Sequence, residues 1–335
     1  MEATLAEVRK ILVSRRRIAL ALASLPLLAW VPARAAGMKR LGIFAGGKRD
    51  ETLRYFAASS AKPLAARGWI EGKTLEIVWR FGENDESRFA ALAKDLVGAK
   101  PDVIATASTP RTRALQRVTR TIPILTVVGD PVGSGFAQSL ARPGGNITGF
   151  SLGVRETAQK SVQLLRTVLP KLTTLAVVSA TRIEVMREIF EPLVAAAREA
   201  GIEAQLRQIS TRDDIEAVLR SLPTSGRGAA MLGGNFRGED EGAVYRLAVR
   251  LRVPAMVANG SAVEAGGLLA YSLYLDNEEE RTAALLDKLL RGADPAVIPF
   301  ELPNRSEFAI NRRTAKAIGV TFPADFALQA TSVFD

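Results

Sequence analysis

Short apolar runs alternate with helical patterns along this chain, and after a glycine-rich interruption the alternation starts again. From Met38 onward, KRLGIFA (39–45), LEIVWRF (75–81), PDVIATA (101–107) and IPILTVV (122–128) are β-rich and bounded by Gly, Pro or charge, so each predicts a strand. Between them, in DESRFAALAKDLVGA, the residues Phe89, Leu92, Ala93 and Leu96 recur at i, i+3, i+4 and i+7, one face of a helix. Repeated strand–helix–strand units of this kind imply a parallel sheet covered on both faces.

The second series is TTLAVVSA (173–180), EAQLRQI (203–209), GAAMLGG (228–234), VPAMVAN (253–259) and GLLAYSL (267–273). Met186, Ile189, Phe190 and Leu193 mark an amphipathic helix between its first two strands. Two similar α/β lobes are therefore expected. At their junction lies VGDPVGSGFAQSLARPGGNITGF (128–150), dense in the residues that permit or force turns. Gly133-Ser134-Gly135 begins like a dinucleotide fingerprint, but the third glycine of that pattern would fall at Gln138 and the motif should follow the first strand of a fold. We expect Gly144-Gly145 and the strand NITGF to carry the chain from one sheet to the next, as a hinge if other crossings run beside it.

Composition narrows the chemistry. The 335 residues suffice for two globular units and include no cysteine and no histidine, which excludes thiolate nucleophiles, Cys/His metal sites and Ser-His-Asp triads. Neither a cofactor nor a metal is expected, and carboxylates such as Asp130, Glu264 and Asp276 lack an activated nucleophile beside them, so an exported enzyme is the weakest reading. Of the formal charge of +10, residues 1–35 hold +4 and the remainder is spread along the chain without basic runs, and aromatics make up only 6%, so the surface reads as solvated, with no nucleic-acid footprint.

At the N-terminus, Arg15 to Arg17 precede an apolar run from Ile18 to Val31 and then Ala33-Arg34-Ala35, the order of a secretory signal comprising residues 1–35. The apolar run is short and interrupted by Pro26, which argues against a permanent membrane anchor, the alternative. The Arg cluster also loosely matches a twin-arginine export signal. With no cysteine to carry a lipid, the mature chain is expected to diffuse freely in a periplasm.

PDVIATASTPRTRALQ, TIPILTVVGD, DPVGSGFAQSLARPGGNITGF, AGGLLAYSL and LLRGADPAVIPFELPNRSEFAINRRTAKAIGV together resemble substrate-binding proteins of ABC transporters, in the tryptophan-binding-protein-like family. The likeness spans nearly all of 38–335. It implies a type I periplasmic binding protein: α/β, two Rossmann-like lobes with parallel sheets joined by three crossover segments, closing on a small ligand and delivering it to permease subunits in the inner membrane. On this chain it implies lobe one at 38–148 plus 277–297 and lobe two at 149–276 plus 298–335. A monomer that binds a small carboxylate or amino-acid-like ligand is expected, without nucleic acid. A ligand-sensing subunit for a membrane receptor is the alternative function.

In open α/β sheets ligands lie beyond the carboxyl ends of the strands. The first-lobe candidates are thus Gly46, Gly47, Ser108, Thr109, Asp130 and Pro131. In ASTPRTRAL, Thr109 suits an N-cap and Pro110 the first helical position, so the helix N-terminus would offer N–H groups to a ligand carboxylate; an ordinary capped helix is the alternative. Asp130 suits a ligand ammonium or, equally, an Asp-Pro turn. The second-lobe candidates are Ser179, Thr181, Asn235, Asn259 and Tyr271. Here the chain departs from the family, with Ser179-Ala180-Thr181 where relatives carry Asn-Pro and VANGSAVEAGG replacing an aromatic-rich loop, so tryptophan is not assumed as the ligand.

Overall fold

A computed structural model describes residues 37–83, 85–179, 183–209, 211–233 and 240–335, apart from the side chains at 58 and 183–187. The first sheet has the order β2-β1-β3-β4-β5, every pair parallel, built from β1 (Lys39–Ala45), β2 (Leu75–Phe81), β3 (Val103–Ala107), β4 (Ile124–Val128) and β5 (Ile147–Ser151). Strand alternation sends Ile104 and Ile124 to one face and Val103 and Leu125 to the other. The first face is covered by α3 (Phe89–Gly98) and α4 (Thr109–Val118), through Phe89, Leu96 and Leu115. The helices α1 (Arg49–Ser59) and α2 (Ala61–Ala66) follow β1, and Leu64 of α2 shares the second face with Leu285, Leu286 and Leu289 of a later helix, α10 (Glu278–Leu290).

The second sheet contains β6 (Thr174–Ser179), β7 (Glu203–Gln208), β8 (Gly228–Leu232), β9 (Ala255–Val257), β10 (Leu269–Tyr274), β11 (Arg305–Asn311) and β12 (Ser332–Phe334), in the order β12-β11-β10-β9-β8-β6-β7. Read as β7-β6-β8-β9-β10, it repeats the winding of the first sheet. Leu175 and Val177 pack beneath α5 (Val154–Val168) and α6 (Ile183–Glu199). On the opposite face Ala176 and Val178 meet α7 (Arg212–Ser221), α8 (Glu241–Arg250) and α9 (Gly260–Glu264). The short α11 (Arg312–Ile318) follows β11. One pairing departs from the expected parallel sheets: β11 runs antiparallel to β10. The chain re-enters this lobe where β10 leaves it, with the Asn304 N–H 3.3 Å from the Tyr274 carbonyl, and from there only a strand running back can pair.

Three segments pass between the sheets, at 152–153, 275–277 and 302–304. The boundaries expected at 148/149 and 297/298 fall inside first-lobe contacts. Gly149 to Ser151 complete β5, and Phe300 lies in the first-lobe core. Most of the glycine-rich stretch is likewise a first-lobe loop and not a hinge: Phe136 and Ala137 are buried in that core, and the Gly144 N–H donates to the Ala296 carbonyl at 3.0 Å. Gly149 tolerates no side chain, since at φ +145° a Cβ would lie 1.9 Å from the Thr126 carbonyl oxygen.

Candidate functional site

In a sheet wound 2-1-3-4-5, the helices after strands 1 and 3 leave to opposite faces and open a crevice at the carboxyl ends between them. Gly46 and Gly47 follow β1 there, and Ser108 and Thr109 follow β3. The corresponding gap in the second sheet lies between β6, which ends at the fully buried Ser179, and β8, followed by Gly233. The predicted Thr181 and Asn235 lie outside the described residues.

The start of α4 is held by its neighbours. Ser108 donates its N–H to the Val127 carbonyl at 2.8 Å and accepts the Thr112 hydroxyl on its own carbonyl at 2.8 Å. The hydroxyls of Thr112 and Thr126, both buried, are 2.6 Å apart. Held this way, Ser108 takes φ +77° and ψ 145°, a conformation costly for a residue with a Cβ. The helix begins one residue earlier than expected: Ser108 is the N-cap, without a side-chain cap bond, Thr109 is the first helical residue and Pro110 the second. The Thr109 N–H and hydroxyl are thereby free of capping duty.

A carboxylate stands at the start of α4, and it comes from the other lobe. Glu188 of α6 accepts the Thr109 hydroxyl and, at 3.0 Å, the Gly129 N–H on Oε1, while Oε2 accepts the Thr109 N–H at 3.3 Å. Behind this cluster Arg111 folds over the end of β1, with its guanidinium 5.8 Å from the centre of the Phe89 ring. A Cβ on Gly46 would meet that guanidinium at 2.2 Å, so glycine leaves the space Arg111 occupies. The buried Arg111 Nε has no hydrogen-bond partner among the described residues. Burial pushes the Arg111 pKa down to about 10 against the opposing pull of Glu188 and Glu86, so it remains a cation at neutral pH.

The other predicted residues divide. Gly47 lies beside Thr52, 3.4 Å from a notional Cβ. Asp130 uses Oδ1 to accept the Gly133 N–H at 2.8 Å, the local Asp-Pro turn, and Pro131 closes the same turn by accepting the Phe136 N–H at 2.8 Å. Asn259 caps α9, accepting the Ala262 N–H at 3.0 Å. Tyr271 instead lines a cavity of about 420 Å³ with Leu152, Val154, Ile189, Phe190 and Met231. Glu188, Gly129 and Arg111 are functional candidates that sequence reasoning missed. The available signal was the segment EIF at 188–190, where one charged residue precedes two apolar ones on α6: Glu188 reaches the first lobe, while Ile189 and Phe190 wall the cavity.

Two sheets of identical winding, three connecting segments and a crevice at the carboxyl ends of both sheets define a type I periplasmic binding protein fold. The chain belongs to the family of ABC transporter substrate binding proteins, which matches residues 57–334. Among curated proteins, a tyrosine-binding protein of Clostridioides difficile (strain R20291) is 27% identical over 259 residues, 77% of this chain and 74% of that one. The fold is similar to that of an ABC domain in complex with L-Trp from Streptococcus pneumonia, with TM-score 0.64, 21% identity and coverage of 89% of this chain and 100% of that one. It is also similar to the ligand-free, open structure of a substrate-binding protein with adhesive properties from Clostridium difficile, with TM-score 0.60, 23% identity and coverage of 89% and 99%.

Proposed function

We propose that this protein is the substrate-binding component of an ABC importer and captures, between its lobes, a small carboxylate with an apolar body, of the amino-acid type. The observation that carries this reading is the seating of the Glu188 carboxylate on the Thr109 and Gly129 donors, a receptor with the stereochemistry of a carboxylate site. The positive end of α4 favours an anion at the same point. Val154, one wall of the apolar cavity at Ile189, Phe190 and Tyr271, lies like Glu188 within 3.3 Å of a notional Cβ on Gly129, and we read that cavity as room for the rest of such a ligand. The tyrosine and tryptophan named for two of the similar proteins are molecules of this chemistry.

On this reading residues 1–35 direct export, the mature protein works as a periplasmic monomer, and its closed form docks on a membrane permease. It performs no catalytic step. Calorimetric titration with L-tryptophan and L-tyrosine, each set against its amide and the corresponding decarboxylated amine, tests the site. At least one amino acid should bind about 10-fold or more tightly than its counterparts that lack the carboxylate charge, the worth of a charge-assisted hydrogen bond or two. Equal affinities for acid, amide and amine would overturn the carboxylate receptor.

A further inference from the structure

We propose that Glu188 is an internal stand-in for the ligand's acid group: a clasp that joins the lobes in the unliganded protein and is exchanged for the ligand's carboxylate on binding. The inference rests on the functional reading above, because it concerns the same receptor. Glu188 stands on a second-lobe helix, and its three acceptor contacts are all to first-lobe groups, the Thr109 N–H, the Thr109 hydroxyl and the Gly129 N–H. The fit is close, with a Cβ on Gly129 falling 3.3 Å from the Glu188 Cγ. Two carboxylates cannot share these donors, since like charges at such a separation repel strongly away from bulk water. A ligand whose body occupies the cavity beside Ile189 and Phe190, and whose acid reaches Thr109, would contend with Glu188 for the same donors.

Two consequences separate a clasp from an ordinary interlobe contact. First, exchange replaces one carboxylate by another, so the ligand gains only the difference between the two. The clasp lowers the affinity of every acid by a common factor, the ratio of clasped to unclasped unliganded molecules plus one. Second, a clasp favours meeting of the lobes before a ligand arrives, so its removal should leave the ligand-free protein more open than wild type. Arg111 retains a carboxylate nearby in both states, Glu188 before the exchange and the ligand after it, which suits a buried cation that would otherwise lose a compensating charge.

The test compares wild type, Glu188→Ala and Glu188→Gln, by calorimetric titration with L-tryptophan and L-tyrosine and by small-angle scattering with and without the amino acid. Glu188 is only half-buried and alanine favours helix, so both variants should fold, which their melting curves verify. Glu188→Ala should bind about 10-fold or more tightly than wild type, with Glu188→Gln between them, because the amide oxygen still accepts but carries no charge. Ligand-free Glu188→Ala should also have a larger radius of gyration than wild type and contract on binding. Unchanged or weaker binding by Glu188→Ala would overturn the exchange while leaving the functional reading intact. If neither amino acid binds any of the three proteins, the functional reading fails and the ligand-free scattering decides the clasp: a more open Glu188→Ala upholds it, and superimposable curves overturn it.

Discussion

Arg155, in the first turn of α5, reaches back across the lobe junction to Asp130 at the end of β4, with Nη2 3.1 Å from Oδ2. The other carboxylate oxygen of Asp130 accepts the Gly133 N–H, so one side chain serves a turn and an interlobe ion pair together. Arg155 is 68% exposed, which limits the pair to at most about 1 kcal/mol and makes it salt-sensitive. Arg155→Ala should therefore cost less in urea unfolding than Asp130→Ala, which also frees a backbone donor and should lose about 1–2 kcal/mol. Since both oxygens are engaged, Asp130→Ala should leave the preference for L-tryptophan over its analogue without the amine unchanged. Loss of that preference would return Asp130 to the role of ammonium partner.

The left-handed backbone at Ser108 carries a cost that a glycine would not. A residue with a Cβ at this φ and ψ costs about 1–3 kcal/mol, whereas glycine returns roughly 0.5–1 kcal/mol of that through its freer unfolded chain. Ser108→Gly should accordingly stabilise the ligand-free protein by about 1 kcal/mol, a rise of about 2 °C in Tm for a chain of this size, while Ser108→Ala should give no such gain. Differential scanning calorimetry distinguishes the two. A fall in Tm for the glycine variant would mean that the serine side chain contributes more than its backbone costs.

Ile189 offers a clean probe of the apolar half of the site, because it lines the cavity yet is 40% exposed. Phe190, by contrast, is a core residue, and its truncation would unsettle the lobe. Ile189→Ala removes apolar contact worth about 1–2 kcal/mol to a ligand packed against it, so L-tryptophan should bind roughly 5- to 30-fold more weakly. L-alanine, too small to reach the cavity wall, should be affected far less. The melting temperature should move by no more than a degree, and equal losses for both amino acids would place the ligand body elsewhere.

Much of this architecture is written locally. The spans 39–45 and 75–81 are strands at the residues that their β-rich composition and charged or glycine borders mark out, and the glycines and threonines after β1 and β3 fall at the crevice because strand ends in such a fold are where polar loop residues collect. The absence of Cys and His by itself removes whole classes of chemistry. The tertiary structure decided what depends on partners far along the chain. Arg305–Asn311 became an antiparallel strand because the chain re-enters the second lobe beside Tyr274, and the glycine-rich stretch stayed in the first lobe because Phe136 and Ala137 found its core. Glu188 is the sharpest instance. Read alone, it is a charged residue on an amphipathic helix, suited to water. Only the meeting of two lobes brings it to Thr109, 79 positions away in sequence, where a helix N–H, a hydroxyl and the Gly129 N–H replace that water. Local periodicity encodes which elements form, but the partner of a surface charge is set by packing between elements whose sequences carry no mark of one another.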